Sequence, residues 1–315
     1  MQRYKIVHRT HYGFNAPVEL GPHSLLLRPR EGHELRIESS KLNIMPMPAS
    51  LRWYRDVQDN SVAIATFQEP TDQLTIESEI VIQQYHEAPL DFMVADYAVN
   101  YPFVYKPDDR AVLSPYMNSA EHTGCDQLDE WLSQLWQPGE PIQTYALLQR
   151  INEHIPKALN YQMREEPGVQ GALETLSLGS GSCRDFANLF MEAARLLGLP
   201  ARFVSGYLHV EPDGLQGGST HAWAEVYLPG AGWKGFDPTH GEVVGTNYIA
   251  VAVAHLPESV PPVAGSFVGP LGAGRLEVGV CVNREPQTDE EEPEQEVAVK
   301  KAEPTRPTDV EQAKK

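Results

Sequence analysis

Between Gly179 and Pro200 the chain is punctuated for one local structure. A glycine-serine loop, Gly179-Ser180-Gly181, runs into Ser182-Cys183-Arg184-Asp185-Phe186. Ser182 and Asp185 have the spacing of a capping box, in which each side chain serves the other's backbone N–H. Phe186, Leu189, Phe190, Ala193, Ala194 and Leu197 then fall on one apolar helical face. Gly198 supplies the left-handed residue that closes a helix, and Pro200 blocks its continuation. The cap makes Cys183 the first helical residue, on the packed side. The helix dipole and the free first-turn N–H groups favour a thiolate there and offer an amide donor to an oxyanion. This cysteine is placed like a nucleophile.

The composition narrows what such a nucleophile serves. At 315 residues, with 41% apolar and 22% charged residues, the chain has room for two domains and a sizeable core. A net charge of −18 disfavours nucleic acid and anionic membrane surfaces as partners. The three cysteines, Cys125, Cys183 and Cys281, form no CxxC pair and no even disulfide set. With no apolar leader after Met1 and no membrane-length apolar run, the expected location is cytoplasmic, with free thiols.

Residues 1–106 read as an N-terminal antiparallel β-domain. Tyr4–Arg9, Leu25–Pro29, Leu35–Glu38, Lys41–Ile44, Val62–Phe67 and Leu74–Ile82 alternate or form short apolar runs between turn residues. The histidines of this region, His8, His11, His23 and His33, sit in different elements and read as satisfied or surface positions rather than a metal site. Residues 107–118, with Pro107 and Pro115, read as a linker. Two apolar faces follow, Leu128 to Trp136 and Ile142 to Ile155, the second with Pro141 suited to its first turn. Residues 157–181 read as a long irregular approach to Cys183, in which Tyr161 is either a wall of the site or a surface tyrosine. After Pro200 the period changes to two. Ala201–Val210, Thr220–Leu228 and Trp233–Asp237 read as strands, the last two as a hairpin, with Tyr248–Ala254 and Arg275–Val282 as two more. Residues 119–283 thus form the core, and the acidic stretch 284–315, nearly devoid of large apolar residues, is expected to be disordered.

A cysteine nucleophile needs a base and a group that orients the base. His221 begins one hairpin arm and Asp237 ends the other. Their side chains meet only if they share a face of the sheet, and that depends on the turn. Pairing Leu228 with Trp233 puts Asp237 opposite Ala224, an odd offset from His221 and so the wrong face. A three-residue loop Pro229-Gly230-Ala231 pairs Leu228 with Gly232, sets Asp237 against Trp223 and brings it diagonal to His221. The expectation is that register, or a bulge with the same effect. Glu225, on the face of His221, either supports the site or is solvated. Trp223 and Trp233 read as packing or cleft walls.

The three contexts, Gly181–Phe186, Thr220–Tyr227 and Gly232–Thr239, closely resemble the three motifs of the transglutaminase-like cysteine protein superfamily. Tyr4–Tyr12 and His23–Arg30 are similar to the β-domain that precedes this core in bacterial members. Where those relatives usually have Asp-x-x-Gly-Asn, this chain has Asp56-Val57-Gln58-Asp59-Asn60. The resemblance implies an α+β fold: an antiparallel β-sandwich-like domain, then a papain-like core with the cysteine helix packed on an antiparallel sheet. It implies a triad of Cys183 as nucleophile, His221 as general base and later acid, and Asp237 as orienting carboxylate, with no cofactor and no metal. The calcium loop of eukaryotic cross-linking members and the zinc-binding cysteine pairs of peptide-glycan amidases have no counterpart among these motifs. The implied reaction is on amide bonds of a peptide or protein substrate, hydrolysis first, with transamidation or a non-catalytic peptide-binding scaffold as the alternatives.

Overall fold

The first strand, β1 (Gln2–Leu20), ties the two halves of the protein together. The structure is a computed structural model, and it describes residues 1–85, 90–119, 126–164, 166–210, 218–269 and 274–286. Cys125 and the acidic tail beyond residue 286 lie outside those residues; the first tail residues, Arg284 and Glu285, expected to be disordered, end a strand instead. Along the first half of β1, Tyr4, Ile6, His8 and Thr10 are buried in alternation, as period two demands. The following strands are β2 (His23–Leu25), β3 (Leu35–Met45), β4 (Ser50–Arg55), β5 (Ser61–Thr66) and β6 (Thr71–Gln84). One sheet pairs β1 with β6 and β6 with β3, and a second pairs β2 with β5 and β5 with β4, all antiparallel. Val18, Leu20, Leu25, Ile44, Ala63, Ala65 and Leu74 from both sheets make one apolar core, so the domain is a sandwich. β4 escapes the sequence pattern because it is an edge strand with almost no buried residue, so it carries no alternation to read. In the turn before β5, Asp59 takes the left-handed conformation (φ 60°) at the position that is glycine in the related motif, and Asp56 receives the N–H groups of Gln58 and Asn60.

A two-residue strand, β7 (Asn100–Tyr101), leads to the stretch expected as a linker. It is a helix, α1 (Pro107–Met117). Pro107 sits in its first turn, where a missing N–H costs nothing, with Asp108 and Asp109 favouring the same end. Proline here starts a helix rather than interrupting a chain. α2 (Asp126–Ser133) follows, then β8 (Ile142–Gln143), which pairs with β7, and only then α3 (Thr144–Ala158). Pro141 therefore lies outside the helix whose first turn it was expected to open. The approach to Cys183 is also more ordered than its composition suggests. It holds α4 (Ala172–Leu178), and a short parallel pair, β9 (Asn160–Tyr161) with β10 (Ser180–Gly181).

The cysteine-bearing helix is α5 (Cys183–Leu196), and its apolar face is buried as expected. It packs on the sheet of β11 (Ala201–Leu208), β12 (Ser219–Leu228), β13 (Gly232–Asp237), β14 (Glu242–Val243) and β15 (Tyr248–Ala254), in the order β14-β13-β12-β11-β15. Ala222, Ala224, Val226, Leu228 and Phe236 face the helix, and Phe236 stacks on Phe190 at 5.2 Å. The small alanines let the helix approach the sheet closely.

The last strands leave this core. β16 (Val263–Ala264) joins β2, β17 (Phe267–Val268) joins β1, and β18 (Arg275–Glu285) runs antiparallel along β1 from Gly13 back to Arg3. The strand read at Arg275–Val282 thus exists but completes the N-terminal sheet, and it continues through Arg284 and Glu285. Tyr4, Ile6, Ile80, Ile82 and Val282 of that sheet pack on Tyr207, Ile249 and Val251 of the other. Residues Met1–Glu285 form one compact unit in consequence.

Candidate active site

Cys183 is placed by a buried carboxylate two residues further on. Asp185 is fully buried, and its Oδ2 accepts the Ser182 N–H at 2.7 Å and the Ser182 hydroxyl at 2.8 Å. Its Oδ1 accepts the Gln170 N–H and the Arg164 guanidinium, both at 2.8 Å. The capping box forms, and the same carboxylate also ties the helix start to the approach loop. Burial alone would raise the Asp185 pKa. The backbone N–H groups of Gln170 and Ser182, the Ser182 hydroxyl and Arg164 outweigh burial and hold it below the usual range. Arg184 donates to the carbonyls of Arg164 and Glu166 and fastens that loop from the other side. Gly181 has to be glycine, since a Cβ there would stand 2.9 Å from Asp185 Cβ.

The hairpin has the register that parity required. Leu228 pairs with Gly232 and Ala224 with Phe236. Gly232 turns the chain at φ 76°, and the Ala231 N–H closes the loop on the Leu228 carbonyl at 3.0 Å. Continuing that register sets Asp237 against Trp223 and diagonal to His221. The His221 Nε2 and Asp237 Oδ2 atoms are 2.8 Å apart, with both residues buried. Nε2 is thereby engaged, and Cys183 lies near enough to the imidazole to raise its pKa. The structure brings His221 and Asp237 into direct contact, with Cys183 near enough to bear on their charges.

The electrostatics of the pair are those of a held imidazolium. Burial by itself would lower the His221 pKa; hydrogen bonds to Asp237 and Cys183, with their charges, raise it to about 9. Burial would raise the Asp237 pKa, and the bonds from His221 and His240 drive it far below the carboxylate range instead. Two side-chain partners of Asp237 were not found from the sequence. His240 Nδ1 lies 2.7 Å and the Tyr248 hydroxyl 2.8 Å from the same Oδ2 that His221 engages, and the Thr239 N–H donates to Oδ1 at 2.9 Å. His221, Asp237 and His240 are the described residues whose ligand atoms converge closely enough to hold a metal ion, within 4.8 Å of one another. Hydrogen bonds to one shared oxygen already account for that convergence.

Other sequence candidates resolve differently. Tyr161 is a half-exposed wall of the site, close enough to Cys183 and Asp237 to feel their charges, and its ring meets Phe186 edge-on. Glu225 pairs with Arg202 at 2.7 Å and does not reach the triad. Arg202 in turn lies 4.2 Å over the Trp233 ring, which places Trp233 at the turn end of the hairpin as packing. Trp223 is buried beside His221 and Tyr248. His8 bonds Tyr207 and Thr10, His11 bonds Thr75, and His23 bonds the Gly21 carbonyl, each separately satisfied.

Two family models match this chain. The model of the bacterial transglutaminase-like N-terminal region covers residues 4–83, and that of the transglutaminase-like superfamily covers residues 138–238, a span that holds Cys183, His221 and Asp237. The chain belongs to the transglutaminase-like superfamily. An uncharacterized protein of Mycobacterium leprae is 27% identical over 90% of this chain and 99% of its own length. The protein-glutamine gamma-glutamyltransferase of Pseudomonas aeruginosa is 36% identical over 103 residues, 30% of this chain and 15% of that enzyme. The solved structure of a proposed cysteine protease of Cytophaga hutchinsonii superposes with a TM-score of 0.69 at 16% identity, covering 91% of this chain and 92% of that one. It shares the transglutaminase-like fold over both domains.

The arrangement predicts selective thiol chemistry. Brief iodoacetamide treatment near neutral pH is expected to label Cys183 well before Cys281, whose thiol sits in β18 beside Asn283. Peptide mapping reads the ratio. Equal labelling of the two removes the case for an activated thiolate.

Proposed function

We propose that the protein is a thiol-dependent enzyme acting on peptide or isopeptide amide bonds through an acyl-enzyme. The observation that carries this reading is the Cys183 thiol at a helix start, close enough to act on the charge of an imidazole that Asp237 holds at 2.8 Å. The Cys183 thiolate attacks the amide carbonyl carbon, and the oxyanion faces the Cys183 backbone N–H at the positive end of α5. His221, carrying the proton taken from the thiol, gives it to the leaving amine as the C–N bond breaks. An acceptor then enters, His221 takes its proton, and the thioester opens to regenerate the thiol. Asp237 keeps the ring oriented and its charged form stable throughout.

Water as the acceptor gives hydrolysis, which we put first, because Tyr161, half exposed beside Cys183, leaves the thiol side of the site open to solvent. An amine as the acceptor gives transamidation, and the similarity to a protein-glutamine gamma-glutamyltransferase favours keeping that reading second. A cytoplasmic location and a peptide or protein substrate belong to the same proposal. The test is incubation with a peptide library, with and without a primary amine, followed by mass spectrometry of the products. Cleaved or deamidated peptides that persist when amine is present support hydrolysis, and amine-conjugated glutamine peptides support transamidation. Product formation undiminished in Cys183→Ala overturns both.

A further inference from the structure

Asp237 serves two histidines through one oxygen. Its Oδ2 meets His221 Nε2 at 2.8 Å, His240 Nδ1 at 2.7 Å and the Tyr248 hydroxyl at 2.8 Å. The side chains of Asp237 and His221 are 0% and 6% exposed, while that of His240 is 48% exposed. The His240 ring is therefore the layer between the buried carboxylate and water. It is not a loose surface side chain. The turn that carries it seats on α3: Gln149 donates to the Gly241 carbonyl at 3.4 Å and Asn152 to the Glu242 carbonyl at 2.8 Å. Gly241 follows at φ 73°, so close to the helix that a Cβ would stand 3.3 Å from Glu153 Cα.

We propose that His240 is a positioning residue of the thiol site, covering Asp237 against water and fixing its Oδ2 on the His221 ring. The inference rests on the reading of Cys183, His221 and Asp237 as a triad. Its physical basis is dielectric. A carboxylate and an imidazolium at hydrogen-bond distance attract strongly in a dry site and weakly in water. With the His240 ring in place Asp237 stays dry, and His221 holds its proton. Remove the ring, and water reaches Oδ2, the attraction is screened, and His221 releases its proton at lower pH.

The charge on His240 acts in the opposite direction, because its ring lies 5.5 Å from that of His221 and a charged form there repels the imidazolium. Asp237 and Glu242 favour that charged form, and His221 opposes it; burial also opposes it. Tyr248 contributes only a hydroxyl donor to the shared oxygen. On the α3 side, Glu153 is engaged with Lys157. Cover and charge thus predict opposite signs on His221, and a measurement of His221 separates them.

The experiment is a carbon-13 NMR titration of histidine-labelled full-length protein, reading the His221 midpoint in wild type, His240→Ala and His240→Asn. Asparagine keeps a donor where Nδ1 stood and carries no charge. The expected result is a downward shift in His240→Ala of about half to one pH unit, a 3- to 10-fold weaker hold on the proton, with most of it restored in His240→Asn. If the alanine chain does not fold, His240→Ser, also too short to reach Oδ2, carries the same expectation. An unchanged or raised midpoint in the shortened variant overturns the proposal. A wild-type midpoint in the ordinary histidine range, insensitive to alkylation of Cys183, would instead remove the triad reading beneath it.

Discussion

Cys183→Ala and His221→Ala are each expected to lower the proposed amide turnover by about four orders of magnitude or more, with the double variant falling little further. The two groups act as one unit, since the thiolate is stable only while the imidazole holds its proton, so deleting either removes the same step. Asp237→Asn leaves a weaker defect with its own signature. The carboxylate accepts from His221, His240, Tyr248 and the Thr239 N–H, all of them donors. A carboxamide has one oxygen to accept with, and its own N–H₂ then confronts a donor. One donor is left facing another in a buried site, at a cost of about 1–3 kcal/mol. If the amide turns its nitrogen towards Oδ2's place, His221 flips its tautomer or loses its anchor, and kcat falls while KM changes little. Steady-state kinetics on a peptide substrate, with near-wild-type melting as the control for folding, checks all three. An active Cys183→Ala protein would mean that the chemistry lies elsewhere.

The largest effect on stability is expected at Asp185, not in the triad. Asp185→Ala strips four donors of their partner at once: Ser182 N and Oγ, Gln170 N and Arg164. Arg164 is largely buried at 17% exposure, so its guanidinium loses a counter-charge it needs. Breaking such a pair from one side costs about 3–5 kcal/mol. At about 2–4 °C per kcal/mol for a chain of this size, the melting temperature should drop by roughly 10 °C. Because the same carboxylate caps α5, alkylation of Cys183 should slow as well. The check is paired thermal melts and alkylation rates. A melting temperature within about 2 °C of wild type would show that the loop and the helix start are held by something other than this carboxylate.

The cysteine helix was legible in the sequence because everything that defines it is local: a cap three residues from its partner, a face at helical period, a glycine and a proline at the end. Parity made the hairpin legible too. His221 and Asp237 can share a face in one register family only, and the Leu228–Gly232 pairing is that one. What alternation cannot supply is a strand's neighbour. The run Arg275–Val282 reads equally well as a core strand, yet it pairs with β1, because the apolar face of Val282 completes the cluster of Tyr4 and Ile80. Proline was ambiguous in the same way. At 107 it opens a helix and at 141 it stands outside one, because Ile142 and Gln143 pair with β7 before the next helix begins at Thr144. His240 and Tyr248 stood in plain view beside Asp237, but their role depends on a turn seated on α3 and on β15 lying against β11 rather than β13. Local chemistry, then, determined which side chains stand where along each element. Only tertiary packing decided which elements lie side by side, and with them the two further donors that hold Asp237.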